Sequence, residues 1–263
     1  MMSVPASTQY SKGWLIGRAL LFYTGMAIST MIWGPVVLLT FPFPLRFRYQ
    51  VSQVWSRFNV WWLKKTCQTG YCLSGLECLP STPAIVMAKH QSTWETLFLH
   101  QFLPPMAIVL KRELLWVPVF GWALALVSPI SIDRKTSRLA IKQLLQKGQD
   151  HLDKGQWVLI FPEGTRIDPG KKIPYGVGGA LLAAHSGYPI LPVAHNAGEY
   201  WPRRSFVKQP GTIQLVFGEL IESAGYSARE LNMLTEGWIE NTMTRISRVP
   251  VEESRNPQTE PES

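Results

Sequence analysis

The chain has 263 residues, a formal net charge of +8, 46% hydrophobic residues and 11 tryptophans against only 17% charged residues. That length suits one sizeable domain plus an appendage, with core enough to fold alone. The charge calls for an anionic partner (phosphate, nucleic acid or a lipid surface), and the three cysteines, Cys67, Cys72 and Cys78, exclude a zinc-ligand spacing and read as free thiols in a reducing compartment.

Residues 19–45 carry no formal charge and lie between Lys12 and Arg18 on one side and Arg46 and Arg48 on the other. About 20 apolar residues cross a bilayer core as a helix, so this stretch is long enough to span. Pro35 is expected to kink or split it, and Pro42 and Pro44 to end it. Two other readings stay open. One is a cleaved signal peptide, although no small-x-small site comes after it; the other is a pair of helices lying in the membrane interface. From Phe47 to Lys65, Val51, Val54, Trp55, Phe58, Trp61 and Trp62 recur close to helical spacing among Arg57, Lys64 and Lys65. Such a basic amphipathic helix suits the headgroups of an anionic leaflet, or a face packed on the domain's own core. Positive charge just after the apolar run places the rest of the chain on the cytoplasmic side.

After Gly70 short β-rich runs alternate with helical ones. Strands are predicted at residues 84–87, 106–110, 129–132, 157–161, 190–194 and 212–217. Helices are predicted over 137–152 and 177–185, and a last one begins at the Ser227–Glu230 capping box. This alternation predicts an α/β fold, with a mixed, largely parallel sheet flanked by helices and an N-terminal membrane-attached helical segment. The expected organisation is a helical region over 1–70, the α/β domain over 71–248 and a polar, disordered tail over 249–263.

His90 ends the first of these strands, in Lys89-His90-Gln91-Ser92-Thr93-Trp94-Glu95. Histidine is the side chain best suited to move a proton near neutral pH, and a carboxylate can fix its tautomer. A five-residue spacing sets the two side chains about 140° apart on a helix, so they meet only across a turn. Ser92 to Glu95 also fits a capping box in which Glu95 does nothing else. A cysteine nucleophile paired with His90 is conceivable, but nothing marks one of the three as activated. Three further strand ends carry polar clusters: Lys111-Arg112-Glu113-Leu114, Ser131 to Lys135, and Phe161-Pro162-Glu163-Gly164-Thr165-Arg166. Each alone reads as a solvated turn. Groups gathered beyond strand ends are also where α/β sheets place their sites, and an arginine there suits a phosphate.

Four blocks in this order resemble the glycerolipid acyltransferases typified by bacterial 1-acylglycerol-3-phosphate acyltransferase. They are His90-x4-Glu95 for the family's His-x4-Asp, Lys111 to Leu114 running into Pro118 and Gly121, Phe161 to Arg166 unchanged, and Pro189-Ile190-Leu191-Pro192-Val193. Two departures stand out. Glu95 replaces aspartate, as in a proteobacterial branch that the run His195-Asn196-Ala197-Gly198 and Trp201-Pro202-Arg203 also resembles. Gly176 stands where a lysine is expected, with Lys171 and Lys172 as nearby substitutes.

The resemblance implies that His90 is the general base and Glu95 its orienting carboxylate. It implies that Lys111, Arg134, Glu163, Gly164, Thr165 and Arg166 bind the substrate, with Glu163 bracing either the turn or the acceptor. The acceptor would be lysophosphatidate, the donor acyl-CoA or acyl-carrier protein as co-substrate, and the product phosphatidic acid. Trp116 to Phe120 are candidate walls for the acyl chain. No metal or other cofactor is expected, and anionic membrane lipids are expected partners at the cytoplasmic side of a bacterial inner membrane. Another lysophospholipid or a lyso-amino-acid lipid is the alternative acceptor, and a non-catalytic anionic-membrane protein the alternative of another class. No nucleic-acid partner is expected, since no binding motif accompanies the positive charge.

Overall fold

A computed structural model describes residues 10–132 and 137–250. Seven strands form one sheet: β1 (Thr69–Ser74), β2 (Ile85–Ala88), β3 (Met106–Lys111), β4 (Ile130–Ile132), β5 (Trp157–Ile160), β6 (Ile190–His195) and β7 (Gly211–Phe217). Their order is β1-β7-β6-β2-β5-β3-β4. Every neighbouring pair is parallel except β6 with β7. The expected strands are all present within one or two residues. β1 is an addition to them: half of its residues are exposed and it carries Gly70, so no hydrophobic alternation marks it.

Strand alternation divides the interior into two layers. Val86, Ala88, Leu159 and Val193 face one apolar cluster, shared with α1 (Lys12–Leu39), α2 (Leu45–Cys67) and α3 (Trp94–Phe102). Ile85, Met87, Val158 and Ile160 face the other, shared with α5 (Ser137–Asp153), α6 (Gly178–Ser186) and α7 (Ala228–Ile246). A short α4 (Phe120–Ala125) packs against α1. Gly178-Gly179 at the start of α6 has a packing role. A Cβ on Gly179 would lie 2.8 Å from Sδ of Met87, so glycine lets the helix close on the sheet.

The apolar N-terminal run, expected to end at Pro42 and Pro44, forms a single helix up to Leu39. α1 begins earlier, capped by Ser11, and ends at Leu39; Thr40 to Pro44 then turn the chain into α2. Helix α1 continues through Pro35, which deletes one backbone hydrogen bond four residues from the helix end instead of breaking the helix. Pro42 and Pro44 lie in the turn, as expected from their missing N–H groups.

Both helices dock on the sheet domain. Phe22 is fully buried edge-on against Trp201 at 5.1 Å, and Tyr23 stacks on Phe206. Nζ of Lys208 donates to the Tyr23 hydroxyl and to the carbonyls of Ser205 and Phe206, and burial lowers this ammonium to about 8. Arg18 donates to the carbonyls of Lys65 and Thr66, which satisfies orphan acceptors at the α2 C-terminus. Helix α2 has two different faces. Tyr49, Ser56, Asn59, Val60 and Leu63 point inward, whereas Val54, Phe58 and Trp61 are exposed beside Arg57, Lys64 and Lys65. Cys67, Cys72 and Cys78 are unpaired, and burial raises the Cys67 thiol, which keeps it protonated and inert.

Candidate active site

Strands β6, β2, β5, β3 and β4 run parallel, so their C-terminal ends lie along one edge of the sheet. His195, His90, Phe161 to Arg166, Lys111 and Ile132 are therefore neighbours along that edge. Continuing the strand register sets Lys111 level with Pro162 and Lys89, two strands from β2, which is ~10 Å. Arg134 lies outside the described residues.

The side chain of His90 follows the parity of Val86 and Ala88 toward the α1–α3 layer. Its ring lies flat on Phe161, with centroids 4.0 Å apart. Nδ1–H donates to Oε1 of Glu95 at 2.8 Å, across the irregular stretch that the spacing required. A carboxylate only accepts, so this bond sets the tautomer and leaves Nε2 as the basic nitrogen. The imidazole is 18% exposed whereas Glu95 is wholly buried, so solvent touches the ring but not its partner.

The capping box is half formed. Oε1 of Glu95 accepts the N–H groups of Gln91 and Ser92, at 3.0 and 2.8 Å. The Ser92 hydroxyl, however, takes the N–H of Trp94, not that of Glu95, and helix α3 starts after Thr93. Glu95 thus ties the loop and His90 through one oxygen. Burial works against its charge, but His195, His90 and the Ser92 N–H outweigh burial and hold the carboxyl below its ordinary value.

The Phe161–Arg166 turn wraps the same loop. Ile167 N–H donates to the His90 carbonyl at 2.8 Å, and Nη1 of Arg166 donates to Oγ1 of Thr93 at 2.9 Å. Gly164 has φ +67°, a backbone conformation that glycine adopts without strain. Thr165 beside it is half-buried, and Lys111 is exposed. Arg203 donates to the Arg166 carbonyl at 2.8 Å. Among the described residues, Arg166 and Arg203 have no carboxylate within ion-pair distance, which leaves their guanidinium charge available to an anion.

Glu163, expected to touch substrate or brace the turn, faces inward with a fully buried side chain. Oε2 accepts the N–H of His90 at 2.7 Å, and Oε1 pairs with Nζ of Lys89 at 2.9 Å. Bracing is thus the part of that expectation its geometry fits. Burial pushes its carboxyl up to about 7, against the pull of Lys89 and the His90 N–H. Both oxygens nevertheless face donors, so the site accommodates the carboxylate. Gly176 lies against this turn, donating its N–H to the Pro162 carbonyl. Lys172, one of the nearby substitutes for the missing lysine, pairs with Glu236 of α7 at 3.2 Å.

A cavity of about 370 Å³ opens beside Thr93 and runs between α1, α2, α3 and α4. Met26, Trp33 and Val37, Trp55, Leu97 and Phe120 are among its walls. Of the five residues expected to form an acyl groove, Phe120 lines it; Trp116 is 68% exposed and faces outward. His100 also borders the cavity, and its Nε2 lies 2.9 Å from the Ser52 hydroxyl. That hydroxyl donates to the Tyr49 carbonyl, so Nε2 carries the hydrogen and donates.

Burial lowers His100 to about 4. A histidine with a depressed folded pKa contributes stability that is intact above its unfolded value near 6.5 and lost as pH falls through 4. We expect the folded state to lose about 3 kcal/mol across that window. A His100→Gln variant should show a smaller fall in Tm between pH 7 and pH 5 than the parent; equal falls would refute the assignment.

Motif reading does not single out Lys89, His195 or Arg203 as site residues. Parity offers one signal: a lysine directly after the apolar run 84–88 must either leave the sheet or find buried carboxylates.

The residues at 71–196 match the family model described as Acyltransferase. The chain is 48% identical over 237 residues to the 1-acyl-sn-glycerol-3-phosphate acyltransferase of Pseudomonas aeruginosa, covering 88% of this chain and 92% of that protein. It is 37% identical over 115 residues to the human 1-acyl-sn-glycerol-3-phosphate acyltransferase alpha, covering 43% of this chain and 41% of that one. The crystal structure of the Thermotoga maritima 1-acyl-sn-glycerophosphate acyltransferase, PlsC, shares the fold, with a TM-score of 0.73 at 22% identity over 87% of this chain and 94% of that one. A buried carboxylate holding a partly exposed imidazole, on a fold and sequence common to these proteins, makes the chain a member of the glycerolipid acyltransferase family typified by 1-acylglycerol-3-phosphate acyltransferase.

Proposed function

We propose that this acyltransferase moves an acyl chain from acyl-CoA or acyl-carrier protein to the sn-2 hydroxyl of 1-acylglycerol-3-phosphate, giving phosphatidic acid. The observation that carries this reading is the His90 imidazole. Its Nδ1 is held by buried Glu95, which leaves Nε2 as the basic nitrogen of a partly exposed ring, with Arg166 and the apolar cavity meeting at Thr93 on the same loop. The relatives named as acting on 1-acyl-sn-glycerol-3-phosphate support it.

Nε2 takes the proton of the acceptor hydroxyl as its oxygen bonds to the thioester carbonyl. Glu95 supports the imidazolium that forms. Collapse of the tetrahedral intermediate breaks the C–S bond, and His90 returns the proton to the departing thiolate, so no acyl-enzyme is needed. Arg166, with Lys111 and Arg134, binds the acceptor phosphate, and Gly164 and Thr165 shape the turn beside it. The cavity from Thr93 toward α1 and α4 takes an acyl chain, since its walls are almost wholly apolar. This proton transfer calls for no metal or other cofactor.

The membrane side is formed by α1, α2 and their connecting turn. Leu20, Ile28, Met31 and Leu39, with Phe41 and Phe43, are exposed apolar residues. Helix α1 is long and apolar enough to cross a membrane, ~42 Å at 1.5 Å per residue. Because Phe22 and Tyr23 dock on Trp201 and Phe206, we assign α1 to the interface along with the domain, its basic neighbours on α2 toward anionic lipids at the cytoplasmic face of the inner membrane.

Membranes containing the expressed protein, given labelled lysophosphatidate and each donor in turn, should form phosphatidic acid. Acylation confined to a lyso-amino-acid lipid, or to no acceptor at all, would overturn the reading. Arg166→Ala should raise the acceptor KM by ~10- to 100-fold, the worth of a lost charged hydrogen bond, with little change in the donor KM. An unchanged acceptor KM would remove Arg166 from the phosphate site.

A further inference from the structure

The peptide unit between Lys89 and His90 is held at both polar ends by buried side chains. Its carbonyl accepts from Nε2 of His195 at 2.7 Å. Nδ1 of His195 accepts the N–H of Ala197, so Nε2 carries the hydrogen, and the ring stays neutral in its buried place. The N–H of His90 at the other end donates to Oε2 of Glu163. A carboxylate with a fully buried side chain cannot keep its charge there without a cation.

Lys89 is that cation. Strand alternation turns it to the face opposite His90, toward α7, where it is 1% exposed. Its Nζ lies 2.9 Å from Oε1 of Glu163 and 2.7 Å from Oε1 of Glu240, and the Tyr175 hydroxyl donates to the same Glu240 oxygen. Burial disfavours the ammonium, yet the two carboxylates outweigh it and raise Lys89 above its ordinary value. The groups facing Glu163 are therefore Lys89, the His90 backbone, Glu240 and Tyr175.

We propose that Lys89 is a positioning residue for the proton-transferring histidine: its ammonium keeps Glu163 as the carboxylate that grips the His90 N–H, and so fixes the peptide that carries the imidazole. Glu240 anchors this clamp to α7. The clamp acts through His90 and touches neither substrate, and its kinetic consequence rests on the reading of His90 as the base.

Full-length protein in detergent micelles provides two independent readouts. In Lys89→Met and in Glu163→Gln, amide hydrogen exchange of the peptide containing His90 should quicken by ~10-fold or more. With lysophosphatidate, kcat should fall by ~100-fold in each, while the acceptor KM stays within about two-fold. The double variant should be no worse than the poorer single one. The acid limb of the rate profile in Lys89→Met should move up by about one pH unit, and adding Glu163→Gln should cancel that movement. Lys89→Arg should restore most of the rate.

Unchanged exchange in folded Lys89→Met, or losses that multiply in the double variant, would overturn the proposal. So would a raised acceptor KM with intact kcat in Glu163→Gln, because Glu163 would then bind substrate. Should Lys89→Met not fold, Glu163→Gln decides by the same exchange and kinetic criteria. A parent protein without acyl transfer would refute the function while the exchange measurement still tests the clamp.

Discussion

Replacing His90 with alanine is expected to abolish acyl transfer, lowering kcat by at least ~10³- to 10⁴-fold while the protein still folds and partitions to membranes. Without the imidazole nothing at this position accepts the proton of the acceptor hydroxyl, and a neutral alcohol is a weak nucleophile toward a thioester. The fold should survive because the local structure uses the backbone of residue 90, through Glu163 and Ile167, and because Glu95, on losing the ring's N–H, still accepts the N–H groups of Gln91 and Ser92. Circular dichroism and membrane flotation would verify integrity, and labelled lysophosphatidate with either thioester would measure the rate. Full residual activity would eliminate His90 as the base.

Glu95→Gln is expected to have the next largest effect, ~10²- to 10³-fold in kcat, by analogy with the loss of a triad carboxylate. The amide oxygen can still accept from His90 Nδ1–H and from the N–H groups of Gln91 and Ser92, so the loop should persist. What disappears is the negative charge that stabilises the imidazolium as it forms. The acceptor KM should therefore change little, and the rate should carry the loss. Glu95→Asp probes geometry instead. Removing one methylene from a chain that reaches three donors stretches the 2.8 Å contact with His90, and a ~10-fold loss is expected. An aspartate variant as active as the parent would show that this loop does not depend on the longer side chain. A Glu95→Gln enzyme within two-fold of the parent would reduce Glu95 to a loop tie.

Much of this arrangement is legible from residue order. The five-residue spacing excludes a shared helix face for His90 and Glu95, and the loop is irregular as that spacing requires. Apolar runs mark six strands, and polar clusters at their ends mark the sheet edge. Capping chemistry is legible at Ser227, where both reciprocal bonds form, but only half legible at Ser92. There Glu95 also has to meet a histidine, and the serine hydroxyl bonds a different N–H.

Local pattern decided what depends on neighbours in the chain: the strands, most helices, the turn at Pro42 and Pro44, and the pairing across residues 90–95. Tertiary structure alone decided what depends on distance through space. It docked α1 on Trp201 and Phe206 through Phe22 and Tyr23, because the inward face of that helix matches a core that no local window contains. It turned Glu163 inward, since Lys89 is remote from it in sequence yet 2.9 Å from it in the fold. It assembled the cavity from four helices, none of which carries more than one wall. A motif names the residues that react, but burial and long-range ion pairing determine which of them meet substrate and which hold the others in place.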